Sequence, residues 1–312
     1  MKFNSTNSLL FTGSDKKIKI YAFRKGLLYK IGEFYHSNQA LTYLNCNKDT
    51  ILISGCDQII KIRSLIGINN SKVQRKIQVD QNSFSCFAIS EKNNLLVAGL
   101  QKHIYFWEEN GLCVLKLDLQ IIDGFDWVYS LSFNESQNKI ISCNGDHNIT
   151  IIQQQNNQIQ QWKIVQIINM DNFGTQAIFF GDDSFVIHPW MSRTMFVYKF
   201  NQQNDQFTLS NTFLMQGEGQ NCYSFISQYI QYRYIKSDQC QNQNKAQKQL
   251  FIKQDKNELC LFLVNKNQEL QIFQKVRLQE TYIWGTMSND GLWLIVWEQA
   301  SKLLKVISCF KY

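Results

Sequence analysis

An all-β fold made of seven copies of one small sheet, a β-propeller, is what three features of the sequence predict. The first is a strand, a tight polar turn and a second strand, met as Leu9-Leu10-Phe11-Thr12-Gly13-Ser14-Asp15-Lys16-Lys17-Ile18-Lys19-Ile20-Tyr21. The second is its recurrence. Aligned on Asp15, copies follow at Asp57, Gln101, Asp146 and Ser192, at steps of 42, 44, 45 and 46 residues, each with apolar residues three and five positions later. A period near 40–45 residues with several short strands per copy is the mark of a propeller blade. The third is composition: 312 residues, 44% hydrophobic and 13% aromatic, suffice for a full core, and a seventh of the length is close to one blade. A single domain over 1–312 is therefore expected, with blades at roughly 1–35, 36–80, 81–120, 121–170, 171–215, 220–278 and 279–312.

The last two copies anchor at Lys256 and Ser301. Asn267 also fits the template, but it would leave only 34 residues to Ser301, where Lys256 leaves 45. The step of 64 from Ser192 to Lys256 then implies an insertion of about 19 residues. A Gln/Asn-rich tract at 236–248 matches it and reads as a loop between the first two strands of blade 6, because such a tract cannot bury enough apolar surface to order itself.

Within the blades, alternation of apolar and polar residues marks the strands. Blade 2 reads as Ala40–Leu44, Ile51–Ser54 and Val73–Val79 around the Asp57 turn; blade 3 as Phe84–Ile89, Leu95–Gly99, His103–Trp107 and Cys113–Leu117. Blade 4 shows the cleanest alternation, Trp127-Val128-Tyr129-Ser130-Leu131-Ser132-Phe133, then Lys139–Ser142 and an outer strand at Trp162–Ile167. Blade 5 holds Pro189, expected in a turn where its missing amide breaks no ladder bond. The end blades read as incomplete: Met1–Ser8 leaves little room for an inner strand in blade 1, and Cys309–Tyr312 little for a fourth strand in blade 7. Either the missing strand lies upstream of this sequence, or a partner strand completes the sheet.

The strand-turn-strand with Gly-x-Asp and an aromatic six residues after the Asp resembles the WD40 (G-protein-β-like) repeat family over essentially the whole chain. Trp107 stands at the family's Trp position, followed by Glu108 rather than Asp, and the family's Gly-His dipeptide is missing throughout. The resemblance implies a rigid ring with variable loops, in which Asp15, Asp57, Asp146 and Trp107 are structural residues of the blades. It also implies that the family's buried Asp-His-Ser-Trp network is missing or rebuilt here.

The functional expectation is a non-enzymatic scaffold that binds protein partners inside a larger complex. Propeller ligands commonly dock at the narrow end of the channel, near the starts of inner strands and the second hairpin turns. Phe84, Trp127, Trp190, Tyr282 and Trp284 are the aromatic candidates there. The alternative is binding of nucleic acid or an acidic surface through the basic first blades, with Lys16, Lys17, Lys19, Arg24, Lys25, Lys61, Arg63, Lys72, Arg75 and Lys76. A net charge of +7 is mild for this length and gives that reading little support. A propeller enzyme would need convergent His, Asp or Glu side chains, and four dispersed histidines argue against one. Cys143 and His147 read as one buried strand residue and one turn residue, so no metal site is expected, nor any cofactor. Nine cysteines without a C-x-x-C pair suggest a reducing, intracellular setting, with the cytoplasm the expected compartment, and no apolar run approaches a spanning helix.

Overall fold

The computed structural model describes residues 1–14, 16–38, 41, 43–47, 51–56, 58–65, 73–78, 84–90, 92, 94–100, 102–110, 113–119, 126–155, 161–172, 174–190, 192–215, 233–235, 248–255, 257–264, 270–279 and 283–309. Asp15, Asp57, Lys256, Tyr282 and the tract 236–247 lie outside them. Every sheet is an antiparallel meander in which consecutive strands pair.

Among the described residues, seven sheets fall into two compact units, one of Met1–Gln81 with Gln228–Tyr312, the other of Asn82–Ser227. In the first unit, sheet 1 is β1 (Lys2–Phe3), β2 (Leu9–Ser14), β3 (Lys17–Arg24) and β4 (Leu27–Tyr35). Sheet 2 is β5 (Tyr43–Asn47), β6 (Ile51–Cys56), β7 (Ile59–Ser64) and β8 (Val73–Gln78). The second unit holds sheet 3, with β9 (Phe84–Ser90), β10 (Leu95–Leu100), β11 (His103–Asn110) and β12 (Cys113–Leu119). Sheet 4 follows with β13 (Val128–Phe133), β14 (Lys139–Asn144), β15 (Asn148–Gln154) and β16 (Trp162–Asn169), and sheet 5 with β17 (Gly174–Phe179), β18 (Ser184–Pro189), β19 (Thr194–Asn201) and β20 (Gln206–Leu214). Back in the first unit, sheet 6 is β21 (Arg233–Ile235), β22 (Lys248–Asp255), β23 (Glu258–Val264) and β24 (Leu270–Arg277). Sheet 7 has three strands among the described residues, β25 (Ile283–Met287), β26 (Trp293–Glu298) and β27 (Leu304–Ser308).

The second strands β10 and β18 are buried along their whole length, which is why Leu95-Leu96-Val97-Ala98 and Phe185-Val186-Ile187 are unbroken apolar runs. The fourth strand β24 alternates between half-buried and exposed residues, and β16 follows buried Trp162 with three exposed residues before alternating. Within the second unit the core runs from sheet to sheet. Phe106 of sheet 3 stacks on Trp162 of sheet 4 at 5.5 Å, and Phe207 of sheet 5 shares a cluster with Ile149 and Ile151 of sheet 4. In sheet 7 the packing leaves no room at Gly285, where an added Cβ would lie 2.5 Å from the backbone oxygen of Ile295. That oxygen belongs to a paired strand, so Gly285→Ala is expected to cost about 1–3 kcal/mol, read as a lower urea midpoint at unchanged m-value.

First-hairpin turns latch neighbouring sheets through polar side chains. Gln137 Oε1 accepts from Ser90 Oγ at 2.6 Å and from the Lys92 amide at 2.9 Å. Asp182 accepts from Asn134 Nδ2 at 2.6 Å, the Ser136 amide at 2.7 Å and Ser136 Oγ at 2.6 Å. The Asn289 amide donates to Asn7 Oδ1 at 2.6 Å, and Asn289 Nδ2 to the Asn4 carbonyl at 2.6 Å, joining sheet 7 to sheet 1.

Two sequence expectations are corrected here. Blade 1 has its first strand: Lys2 pairs with Phe11 and Phe3 with Leu10. Two residues suffice because Asn4 closes the turn, donating its amide to the Leu9 carbonyl at 3.0 Å and accepting the Leu9 amide on Oδ1 at 2.8 Å. Phe3 then inserts into a core with Phe23, edge-on at 5.2 Å. Pro189 is the last residue of β18 rather than a turn residue, paired with Gly174.

The buried network expected to be missing or rebuilt is partly rebuilt around His36, which follows Tyr35 rather than a glycine. His36 is fully buried, with Nδ1 3.2 Å from Ser54 Oγ on β6. The Ser54 hydroxyl directs its one hydrogen to the Lys61 carbonyl at 3.3 Å, so His36 Nδ1 is the donor in this pair. Lys61 Nζ donates to the His36 carbonyl, and buried Arg63 stands where the family places Trp, its guanidinium 4.6 Å from the Phe34 ring centre. Burial first, then the charges of Lys61 and Arg63, pushes the His36 pKa down to about 4. A histidine depressed below its unfolded value stabilises the fold above pH ~6.5, and that contribution is lost as pH falls toward the folded value. We expect about 2–3 kcal/mol to be lost across this window, and His36→Gln to flatten that part of the urea-midpoint profile against pH. A variant profile as steep as the wild type would assign the loss elsewhere.

Candidate protein-interaction site

Sheet 4 presents the site. At the start of β13 the register shifts: Val128 pairs with Asn144, but Ser130 pairs with Cys143, so Tyr129 is the extra residue of a β-bulge. A bulge turns its side chain out of the alternation. Tyr129 is 39% exposed while Leu131, on the same face by simple alternation, is buried. Trp127, just before the strand, is also 39% exposed. Equivalent shifts occur in β9, at Ser85, and in β17, at Thr175. Of these three first-strand bulges among the described residues, the one in sheet 4 carries an aromatic ring.

The segment is anchored from below. The Gly145 amide donates to the Trp127 carbonyl at 2.8 Å, and a Cβ added at Gly145 would sit 3.0 Å from Asp126 Cβ, so the turn is closely packed against that residue. Asp146 shapes the turn beneath, accepting the Asn148 amide at 3.2 Å and Asn148 Nδ2 at 3.0 Å. His147 follows at φ 66°, exposed, with its carbonyl taken by the Met170 amide at 2.8 Å. Cys143, four residues earlier, is fully buried, and burial drives its pKa up. Ser130 exchanges hydrogen bonds with the backbone of Ala177 at 3.3 Å, so β13 is held to β17. Partial burial and then the Asp126 carboxylate raise the Tyr129 pKa, which keeps the phenol neutral. The result is a rigidly mounted pair of aromatic rings beside an exposed carboxylate, suited to an apolar or cationic side chain.

The other sequence candidates are placed differently. Phe84 is turned inward, 3% exposed, against Phe87 at 5.0 Å and Trp107 at 6.1 Å, and so offers no anchor. Trp107 itself is buried and stacks on Tyr105 at 5.6 Å. Trp190 is half-buried in the turn after Pro189. Trp284 packs on Trp297 at 5.1 Å and lines a small apolar cavity between sheets 6 and 7, with Ile252, Leu259 and Met287.

Tyr129 was missed as a site residue because alternation put it on a buried face; the bulge that overrules this leaves no mark in the sequence. The basic set is also corrected, because part of it is committed internally. Arg63 is 6% exposed and donates to the Tyr35 carbonyl at 3.2 Å, and Lys61 is taken by His36. Lys17 and Lys30 both grip Glu33, at 2.7 and 2.6 Å, and hold its carboxyl down to about 2.

A family model, WD domain, G-beta repeat (WD40), matches residues 1–22, the stretch from β1 into β3. No curated protein matches the sequence. Among solved structures, the β-propeller domain of Cps50 (Swd1) from Myceliophteria thermophila is similar with a TM-score of 0.70 at 10% identity, over 99% of this chain and 95% of that one. Likeness at that identity speaks for the fold alone. No helix among the described residues is long and apolar enough to cross a membrane. The seven meander sheets among the described residues and this likeness give the chain the fold of a β-propeller domain, and residues 1–22 match the WD40 repeat.

Proposed function

We propose that this chain is a non-enzymatic interaction platform that docks a protein partner on Trp127 and Tyr129, whose rings suit an apolar or cationic contact residue, with Asp126 favouring a cationic one. The observation that carries this is the bulge at Tyr129, which exposes a second ring beside Trp127 in a sheet whose other large apolar side chains near β13 are inside. Large aromatics held in fixed positions lose little entropy on binding and make strong anchors. Six free cysteines among the described residues, five of them buried, support an intracellular setting. Partner retention by the Trp127→Ala, Tyr129→Ala chain tests the proposal, and unchanged retention would sink it.

A further inference from the structure

The positive charge of the chain is concentrated in its first two sheets. Residues 1–80 hold 13 Lys and Arg against five Asp and Glu, a balance of +8, while the remaining 232 residues sum to −1. Part of this charge is spent internally, on the contacts of Lys17, Lys30, Lys61 and Arg63. No ion pair among the described residues takes up Lys16, Arg24 or Lys25, and all three residues are exposed. Within sheet 1 the one acid among the described residues is Glu33, held by Lys17 and Lys30.

The hairpin of β3 and β4 sets these cations beside apolar side chains. Arg24 pairs with Leu27 and Ala22 with Tyr29; the register then shifts, Tyr21 pairing with Lys30 and Ile20 with Gly32, so that Ile31 is an extra residue in β4. Because side chains alternate and the shift falls only after Tyr29, the residues Leu27, Tyr29 and Ile31 line one face together with Arg24. They are 57%, 52% and 42% exposed. The tip is fixed: Lys25 and Gly26 take φ of 47° and 83°, and a Cβ at Gly26 would lie 2.8 Å from the Trp293 ring of sheet 7. Strand β16 also exposes three aliphatic side chains, Ile164, Val165 and Ile167, but its one charge is Lys163.

We infer that the β3–β4 hairpin docks on an anionic lipid bilayer, with Arg24 and Lys25 against the headgroups and Leu27, Tyr29 and Ile31 entering the boundary between headgroups and acyl chains. The aliphatic side chains favour lipid over nucleic acid. Bases stack on aromatic rings and gain little from Leu or Ile, whereas both gain from burial at the acyl boundary. A tyrosine between them suits that depth, its ring apolar and its hydroxyl wet. The balance of +8 over residues 1–80 steers this part of the chain toward the surface. The hairpin belongs to the compact unit that does not hold Trp127 and Tyr129, so either interface can fail without the other.

The test is co-flotation of the full chain with vesicles of phosphatidylcholine, alone or mixed with phosphatidylserine, at physiological salt. Binding at least about tenfold tighter to the mixed vesicles is expected. The pair Arg24→Gln, Lys25→Gln and, separately, the pair Leu27→Ser, Ile31→Ser are each expected to weaken it about tenfold or more. Their melting temperatures should stay at the wild-type value, because all four residues are exposed. Ile164→Ser, Ile167→Ser in β16 is the control, expected to bind as wild type. Equal binding to both kinds of vesicle, full binding by either hairpin variant, or an equal loss in the control would overturn the inference. A single-stranded RNA probe read by fluorescence anisotropy supplies the rival outcome. RNA bound more tightly than the mixed vesicles, weakened by the Arg24→Gln, Lys25→Gln pair and untouched by the Leu27→Ser, Ile31→Ser pair, would assign the patch to nucleic acid and overturn the lipid reading.

Discussion

Phe185→Ala is expected to destabilise the chain by about 3–5 kcal/mol, among the largest losses a single core residue can produce. Phe185 is fully buried, stacks on Tyr198 with centroids 4.9 Å apart, and meets Phe207 at 5.2 Å and Phe179 at 5.7 Å. Truncation removes a ring from a site bounded by other rings and by paired strands, which cannot close over the gap. Phe185→Leu keeps most of the volume and is expected to cost only about 1–2 kcal/mol. Urea midpoints at constant m-value read both. A loss below about 1 kcal/mol for the alanine variant would mean that these sheets are not packed as described.

The repeat made most of the fold legible, because each copy carries its own turn and its own apolar pair. Choosing Lys256 over Asn267 as the sixth anchor agrees with β22 and β23, whose hairpin closes between Asp255 and Glu258. The misses have physical causes. A two-residue strand such as Lys2–Phe3 shows no periodicity, and only its cross-strand partners reveal it. His36 escaped a search for Gly-His because what matters is its reach to Ser54, which Tyr35-His36 provides as well. Arg63 read as an exposed base because its position in β7 was judged by charge. Phe34 and the Tyr35 carbonyl together make a buried guanidinium tolerable there.

The candidate site was half legible. Trp127 was readable as an aromatic at the mouth of a blade, while Tyr129 needed the register of β13 against β14. Removing both rings is expected to be the largest functional lesion available at the surface of sheet 4. Each is large, partly desolvated already and fixed by backbone bonds, which are the attributes of residues that dominate an interface. Asp126→Lys should weaken binding less than the double alanine variant does, because an exposed charge contributes mainly to encounter and is screened by salt.

The most direct measurement is quantitative affinity purification from native cells of the wild-type chain, the Trp127→Ala, Tyr129→Ala chain and a Leu214→Ser control that removes an exposed apolar residue from β20. The account predicts a specific protein partner retained by wild type and control, and reduced at least about tenfold by the double variant with its melting temperature unchanged. Equal recovery from all three chains would contradict it.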